Sequence, residues 1–132
     1  LFDDQILMTY GDTFTDIKLK NLIETHNNSD NEVTIVTAPI MNPFGLVEFN
    51  EDNKVTYLKE KPTLNYYIGY AIVNKSSFKL ISPEVISMPD GDGLITFFKS
   101  LIKIKKLGVY NHSGLQITFN TKEELKVAEK KF

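Results

Sequence analysis

The sequence has 132 residues and a mass of 15.1 kDa, so it forms one domain at most. Hydrophobic residues make up 42% and charged residues 24%, a globular composition that argues against a disordered tail. The absence of cysteine excludes a disulfide scaffold, a zinc–thiolate site, an iron–sulfur cluster and a cysteine nucleophile, and the net charge of −2 gives no sign of a nucleic-acid-binding face.

All 15 basic residues are lysines. A bound anion is therefore held by an ammonium group, a helix N-terminus or backbone N–H groups rather than by a bidentate guanidinium. No apolar run is long enough to span a bilayer, and no basic-then-apolar signal segment opens the sequence. We expect a cytoplasmic protein that binds no membrane.

The first forty residues predict a strand, a helix and a second strand. The chain opens on Leu1 rather than on methionine, which suggests a piece of a longer protein. The apolar run 5–10 predicts a central parallel strand, buried on both faces. Thr15-Asp16 predicts a helix start, and apolar residues continue at helical spacing to about His26. Residues 33–38 are rich in β-branched side chains and complete a predicted βαβ unit.

The middle of the chain predicts antiparallel structure. Residues 45–49 and 54–58 flank a polar turn and predict a β-hairpin, which ends at Pro62 because proline cannot continue a ladder. Residues 66–73 predict another strand, in which Gly69 indicates a bulge or a close backbone approach. Most aromatic residues of this part are expected to pack between sheet and hairpin; they are Phe44, Tyr57, Tyr66, Tyr67 and Tyr70.

The last third predicts a helical turn at 76–81, a turn at 90–93 and a helix at about 94–105. The apolar face of that helix is predicted to comprise Leu94, Phe97, Phe98, Leu101 and Ile102. Residues 109–110 and 117–119 are strand-like, and Thr121 with Glu124 forms a capping-box pattern before a helix through Ala128. The predicted class is α/β with an antiparallel excursion.

Tyr10-Gly11-Asp12 is the strongest local signal for a binding site. Ligands of open α/β sheets bind beyond the carboxyl ends of strands, and a carboxylate there suits Mg²⁺, which shares its coordination between protein, water and phosphate oxygens. The alternative is that Gly11-Asp12 is a turn and Asp12 caps the next helix. Asp16 is interpreted as a solvated helix start.

Several other residues have two interpretations each. Lys61 is able to bind a phosphate and Glu60 a sugar hydroxyl, but an exposed hairpin end explains the pair equally well. Gly45 is either part of a turn or a point where backbone meets ligand. His26 is interpreted as a helix-end residue whose charge suits the dipole. His112 is interpreted as part of a surface loop, with a cleft histidine as the alternative.

Taken in order, the motifs resemble the sugar-1-phosphate nucleotidyltransferases. The resemblance rests on five motifs in chain order: a strand ending in Gly-Asp, then Pro-Phe-Gly-Leu-Val-Glu-Phe, then Lys-Val-Thr-Tyr-Leu-Lys-Glu-Lys-Pro, then an aromatic strand with an inner glycine, and a final Thr-Lys-Glu-Glu-Leu helix. The resemblance is greatest to the glucose-1-phosphate cytidylyltransferase and heptose-1-phosphate guanylyltransferase branches. It implies part of a Rossmann-like, glycosyltransferase-A-like mixed sheet, with residues 1–132 as its C-terminal, sugar-binding portion.

The resemblance also implies a reaction, in which a nucleoside triphosphate and a sugar 1-phosphate give an NDP-sugar and pyrophosphate with the help of Mg²⁺ and lysine. Asp12 matches the metal-binding aspartate, and Lys61 the lysine that holds the sugar phosphate; both are the implied catalytic residues. The residues that the resemblance places around the substrate are Gly11, Gly45, Glu60, Lys61, Tyr67 and Gly69.

Three departures from the family pattern predict that the isolated chain is inactive. The N-terminal half, which in the family carries the Gly-rich triphosphate loop, is absent from the sequence. Thr118 stands where a second metal-binding aspartate is expected, and a hydroxyl cannot replace a carboxylate charge. Tyr67 stands where the family has the asparagine of its sugar pocket.

Three functions are compatible with these features: part of a working nucleotidyltransferase, a non-catalytic sugar-phosphate-binding or regulatory domain descended from that family, and an interaction domain without a ligand. The expected partners are a sugar 1-phosphate and a nucleoside triphosphate, with no nucleic acid. Strand edges left bare by a missing half predict a homo-oligomer or a strand-exchanged dimer.

Overall fold

The computed structural model describes residues 2–89 and 91–130, so Leu1 and the predicted turn position Asp90 lie outside the described residues. The strands are β1 (Gln5–Thr9), β2 (Thr13–Thr15), β3 (Val33–Met41), β4 (Leu46–Phe49), β5 (Val55–Lys59), β6 (Thr63–Asn74), β7 (Leu107–Asn111) and β8 (Gln116–Thr118). The helices are α1 (Leu19–Asn27), α2 (Pro83–Ile86), α3 (Asp92–Lys103) and α4 (Lys122–Glu129), with a 3-10 helix at Lys75–Leu80.

The main sheet is mixed and has the strand order β1-β6-β3-β7. β6 runs antiparallel to both β1 and β3, whereas β3 and β7 are parallel. The predicted α/β class with a mixed sheet is therefore confirmed. β1 and β3 point the same way, as a βαβ unit requires, but β6 lies between them.

The predicted position of β1 in the sheet is wrong. Among the described strands β1 lies at an edge and pairs antiparallel with β6, and its side chains are mostly half-buried rather than buried. An apolar run indicates that a strand is at least partly buried, but it does not indicate the direction of the strand or the strand with which it pairs. The partner of β1 is β6, which lies far along the chain.

The predicted start of the first helix is also wrong. α1 begins at Leu19 after Lys18, whereas Thr15 belongs to β2. β2 pairs with the distant strand β8 to form a short antiparallel ribbon. Its threonines and phenylalanine favour extended backbone, and the pairing with β8 holds them there.

The core lies on both faces of the main sheet. On one face Phe97, Phe98 and Leu101 of α3 pack on Val33 and Ala71. On the other face Leu22 of α1 packs on a second set of strand residues, which are Val36, Ala38, Ile68 and Ile72. α3 thus buries most of its predicted apolar face, but Ile102 is exposed, contrary to the prediction.

The predicted hairpin and the capping box are confirmed. β4 and β5 form a separate two-stranded sheet. At the start of α4, Glu124 N–H donates to Thr121 Oγ1 at 3.1 Å, and Glu124 Oε2 accepts from Thr121 N–H. The expected packing of aromatic residues under the hairpin is wrong for three of them, because Phe44, Tyr57 and Tyr66 are exposed. Within residues 2–89 and 91–130, no helix is long and apolar enough to cross a membrane.

Candidate functional site

An open cavity of about 540 Å³ lies where the carboxyl end of β1, the middle of β6 and the β2–β8 ribbon meet. Its lining comprises Tyr10, Asp12, Thr13, Ile40, Tyr66, Tyr67, Ile68, Gly69, Gln116 and Thr118. Four residues singled out from the sequence, Asp12, Tyr67, Gly69 and Thr118, are thus brought to one cavity. A second cavity of about 360 Å³ beside α2 and α3 has an apolar lining without an ionisable side chain among the described residues, so no ammonium group is available there for a phosphate.

Gly69 fixes the position of the Tyr10 ring at this cavity. Gly69 has a φ of +81°, and the ladder between β3 and β6 shifts register beside it. Tyr10 N–H donates to Gly69 O at 2.8 Å, and a Cβ on Gly69 would lie 2.5 Å from Tyr10 Cγ. The predicted bulge and the predicted close approach are therefore both confirmed, and a side chain at position 69 would displace Tyr10.

Asp12 follows β1 and faces the ribbon. Its backbone oxygen accepts from Phe119 N–H at 2.9 Å, and its Oδ1 lies 3.3 Å from Thr13 Oγ1. Thr13 Oγ1 lies in turn 3.2 Å from Thr118 Oγ1. The alternative that Asp12 caps the next helix is wrong, because that helix begins at Leu19.

These residues offer a divalent cation one carboxylate, with two hydroxyl groups beside it. The described residues contain no group of three or more His, Cys, Asp or Glu side chains able to hold a metal ion. Mg²⁺ often takes one or two carboxylates from the protein and the rest of its ligands from water and substrate phosphates. Asp12 therefore suits an Mg²⁺ ion that arrives with a phosphate, and not a site built from protein ligands alone.

Tyr67 carries a buried hydroxyl without a hydrogen-bond partner in the described part of the chain. Its ring makes edge contacts with Tyr10, at a centroid distance of 5.6 Å, and with Phe98, at 5.7 Å. Burial, and to a smaller extent the neighbouring Tyr10 phenol, raises the pKa of Tyr67 above its ordinary value. A buried donor without a well-aligned acceptor is costly, and the Tyr10 phenol is the polar group that acts on it, so this hydroxyl is a candidate for a ligand contact.

Gly45, Glu60 and Lys61, which the sequence predicted as binding residues, lie at the base of the β4–β5 hairpin. A Cβ on Gly45 would lie 3.3 Å from Glu60 Oε2, so these two residues are neighbours. Lys61 is exposed and has a φ of +41°, a left-handed conformation that is strained for a residue with a side chain. Gly45, Glu60 and Lys61 are not among the described lining residues of the cavity, and neither is Gly11.

The interpretation of His112 as a surface-loop residue is wrong, because it is buried and joins two segments. Its Nε2 lies 3.0 Å from Thr15 Oγ1, 3.0 Å from Asp16 Oδ1 and 3.2 Å from Leu115 O. Carboxylate and carbonyl oxygens only accept, so Nε2 carries a proton. Asp16 is exposed, as predicted, but it is a partner of His112 and not a helix start.

Gly114 makes this arrangement possible. A Cβ at position 114 would lie 2.6 Å from His112 Cε1 and would also collide with Asp16. The sequence signal for a tight loop here was the turn-forming run that contains Asn111, Ser113 and Gly114. The contacts of His112 bind the end of β2 to the start of β8, and so support the ribbon that carries Thr13 and Thr118.

His26 lies in the last turn of α1, as predicted, but its ring is buried. Nδ1 lies 2.8 Å from Thr34 Oγ1, and Nε2 lies 2.9 Å from Asn74 Oδ1. Both ring nitrogens therefore have partners, and His26 links α1 to the main sheet.

Comparisons with known proteins agree on one family. Residues 2–88 match the family model described as nucleotidyl transferase. The chain is 29% identical over 127 residues to a probable glucose-1-phosphate cytidylyltransferase of Bacillus subtilis, covering 93% of this chain and 47% of the relative. It is 32% identical over 119 residues to the bifunctional protein GlmU of Streptococcus agalactiae, covering 79% of this chain and 26% of that protein.

The fold is similar to solved structures of the same kind. A putative glucose-1-phosphate thymidylyltransferase from Bacillus anthracis, in complex with a sucrose, superposes with a TM-score of 0.66 at 18% identity, covering 97% of this chain and 54% of that one. HddC from Yersinia pseudotuberculosis gives a TM-score of 0.56 at 20% identity, covering 98% and 56%. The chain belongs to the nucleotidyl transferase family, and it spans half or less of the length of the curated relatives named above.

Proposed function

We propose that this chain is the sugar-phosphate-binding part of a nucleotidyltransferase that joins a nucleoside triphosphate and a sugar 1-phosphate into an NDP-sugar. The observation that carries the proposal is the cavity, in which Asp12, Tyr67, Gly69 and Thr118 meet from three separate segments of the chain. Membership of the nucleotidyl transferase family supports the class of reaction.

In the proposed reaction, an oxygen of the sugar phosphate attacks the α-phosphorus of the triphosphate. A new phosphorus–oxygen bond forms, the bond to the β-phosphate breaks, and pyrophosphate leaves with the electron pair. A divalent cation bound by Asp12 would supply charge neutralisation for the phosphates. The residues of this chain then have to bind and orient the sugar phosphate, which contributes to the rate through positioning.

The roles of the individual residues are proposals as well. Lys61 holds the sugar phosphate as a point charge, and its left-handed backbone supports a functional role because such strain concentrates at functional sites. Glu60 accepts from a sugar hydroxyl. Gly45 lets the backbone approach the sugar, Gly69 holds the Tyr10 ring at the wall of the sugar pocket, and the Tyr67 hydroxyl replaces the amide that the family uses there.

The 132-residue chain by itself is proposed to bind a sugar 1-phosphate without turning over any nucleoside triphosphate. The test is a calorimetric titration of the chain with glucose 1-phosphate in the presence of Mg²⁺. Lys61→Gln should weaken binding at least about tenfold, since it removes a charge-assisted contact of roughly 1.5–3 kcal/mol. Lys54→Gln is the matched control, because it removes the same charge from the far end of the hairpin.

Two results would contradict the proposal. If the wild-type chain bound neither glucose 1-phosphate nor any other sugar 1-phosphate, the proposed sugar-phosphate-binding function would be wrong. Synthesis of an NDP-sugar by the chain alone would show that the part described here is sufficient for turnover.

One observation favours a second candidate, a non-catalytic domain that binds sugar phosphates. Thr118 puts a hydroxyl beside Thr13 and Asp12, so the site lacks the charge of a second carboxylate. Both candidates predict sugar-phosphate binding. They differ once the chain is assayed together with a triphosphate-binding segment from a relative, because only the first candidate predicts that NDP-sugar then forms.

A further inference from the structure

Gln116 presents an amide group to the cavity that Asp12 and Tyr67 line. It belongs to β8, is half-buried and is itself a lining residue of that cavity. Within residues 2–89 and 91–130 its side chain makes no hydrogen bond, although its backbone is paired in the ladder with β2. A glutamine side chain carries two N–H donors and one carbonyl acceptor, so it offers a ligand both kinds of hydrogen bond. None of the contacts proposed above for the sugar phosphate uses this amide.

The contacts of neighbouring residues fix the backbone of Gln116. It lies opposite Thr15 in the ladder, and Thr15 Oγ1 lies 3.0 Å from His112 Nε2. The preceding carbonyl, Leu115 O, accepts from Asp16 N–H at 3.2 Å and lies 3.2 Å from His112 Nε2. Position 116 is therefore held from both strands of the ribbon. A residue held in this way has less freedom to lose when a ligand binds, which favours its use in recognition.

The lining of the cavity suits an uncharged part of a substrate. Its one carboxylate is Asp12, and neither a lysine nor a histidine is among its described lining residues. Its other polar side chains are phenols, threonine hydroxyls and the Gln116 amide. In the proposed function the phosphate is held by Lys61 and by a cation at Asp12. The neutral polar groups of the cavity are thus left for the hydroxyls of the sugar ring.

The spacing along β8 separates Gln116 from the proposed metal position. Gln116 and Thr118 are two residues apart in one strand, so their side chains share a face at a distance of about 7 Å. Thr118 Oγ1 is linked through Thr13 Oγ1 to the Asp12 carboxylate. This separation is close to the width of a hexose ring. A hexose whose C1 phosphate lies at Asp12 therefore brings to Gln116 the hydroxyls across the ring from C1, which are those on C3 and C4.

We propose that Gln116 is a specificity-determining residue that recognises the C4 side of the sugar. Its amide N–H donates to one of the two neighbouring hydroxyls on C3 and C4, and its carbonyl oxygen accepts from the other. The inference rests on the proposed sugar-phosphate function and adds the part of the sugar that the ribbon recognises. The direction of the C4 hydroxyl decides whether it meets the amide, so the chain should distinguish two sugars that differ only there.

The test is a calorimetric titration of the 132-residue chain with glucose 1-phosphate and with galactose 1-phosphate, each in the presence of Mg²⁺. These two compounds differ only in the direction of the C4 hydroxyl. The wild-type chain should prefer one of them by at least about fivefold, as expected for one hydrogen bond. Gln116→Leu should weaken binding of the preferred sugar and reduce the preference below about twofold, because leucine neither donates nor accepts. Asn21→Leu is the matched control, since it removes an exposed amide outside the cavity, and it should keep the preference.

A second variant keeps the shape of the side chain. Gln116→Glu loses both donors and adds a negative charge, which weakens the binding of any sugar phosphate. The ratio of the two affinities cancels that general loss, so the preference should fall in this variant as well. Urea unfolding reports whether each variant retains the fold, and Gln116→Glu carries the test if Gln116→Leu does not fold.

The outcomes separate this inference from the function on which it rests. A wild-type chain that binds both sugars equally well, or a folded Gln116→Leu variant that keeps the wild-type preference, would overturn the role of Gln116 and leave the proposed function standing. A wild-type chain that binds no sugar 1-phosphate would overturn both.

Discussion

Thr118 lies directly opposite Thr13 in the β2–β8 ladder, and their hydroxyl oxygens are 3.2 Å apart. Thr13 Oγ1 is 3.3 Å from Asp12 Oδ1. Thr118 is thus linked to the Asp12 carboxylate through the Thr13 hydroxyl. A carboxylate at position 118 would share that side of the cavity with Asp12.

Thr118→Asp should therefore create a stronger divalent-cation site. We expect the affinity for Mn²⁺, used as a paramagnetic substitute for Mg²⁺ in nuclear magnetic relaxation, to rise by about tenfold, or about 1.4 kcal/mol. Without metal the variant should unfold more easily, since two like charges then face each other. Thr56→Asp adds the same charge to the exposed hairpin and should not change the affinity. An equal gain in the Asp12→Asn background would show that Asp12 is not part of the site.

Tyr67→Phe should separate stability from binding. The Tyr67 hydroxyl is buried without a partner among the described residues, so its removal should leave the free energy of unfolding unchanged or raise it by up to about 1 kcal/mol. If the hydroxyl contacts the sugar, affinity for a sugar 1-phosphate should fall about two- to tenfold. Chemical denaturation and calorimetry measure the two quantities. A loss of stability with unchanged affinity would assign the hydroxyl to the fold.

The same residue makes the fold sensitive to high pH. Burial raises the pKa of Tyr67 above the ordinary value of 10.0, and burial also raises that of Tyr70. At a pH above about 10 the unfolded chain releases phenolic protons that the folded chain retains. The free energy of unfolding should therefore be constant as pH approaches 10 and fall above it. Urea titrations at increasing pH should find a smaller fall in Tyr67→Phe than in wild type.

Gly69→Ala should cost more than an ordinary glycine substitution at positive φ. Gly69 and Gly91 have similar φ values, +81° and +84°, but only at Gly69 would a Cβ collide with a described atom, on the Tyr10 ring. Gly91→Ala should destabilise the chain by about 1–2 kcal/mol from the backbone alone. Gly69→Ala should add a collision term of roughly 1–3 kcal/mol. Equal losses in urea unfolding would mean that Tyr10 moves aside freely.

His112 should control the ribbon rather than the main sheet. In His112→Phe the ring remains but the donor to Asp16 and Leu115 is lost, so the ribbon should open more often. Amide hydrogen exchange of Phe119, whose N–H donates to Asp12 O, should then be at least about tenfold faster, which corresponds to about 1.4 kcal/mol. His112→Gln keeps a donor and should recover most of the protection. Unchanged exchange at Phe119 would contradict a supporting role.

The sequence was most informative where one element carried its own signal. The apolar spacing of α3 and the capping box at Thr121 were predicted because each depends on residues close together in the chain. Gly69 was singled out from its position inside a strand, but its neighbour Tyr10 was not predicted. The pairing of β2 with β8 and the position of β6 between β1 and β3 depend on partners far apart in the sequence, which short-range patterns do not encode.

The candidate site shows the same difference between features with local sequence signals and features that depend on distant residues. Asp12 was predicted from a motif of three residues, and the structure places it in the cavity. The contact between His112 and Asp16 was not predicted, because the residues around each of them contain no signal that points to the other. The exposure of the hairpin was missed as well, since its alternating and aromatic residues are equally typical of a covered strand.

The central position of β6 has a consequence for how the chain is made. The side chains of Gln5 in β1 and Asn74 in β6 meet across 69 residues of sequence. During synthesis β1 and β3 emerge long before β6, the strand that pairs with both. Folding rates fall as contacts become less local, and these contacts cannot form before β6 has been translated. Assembly of the main sheet is therefore a late event on the ribosome, and the apolar strand β1 has to wait, unpaired with β6, until Asn74 has been translated.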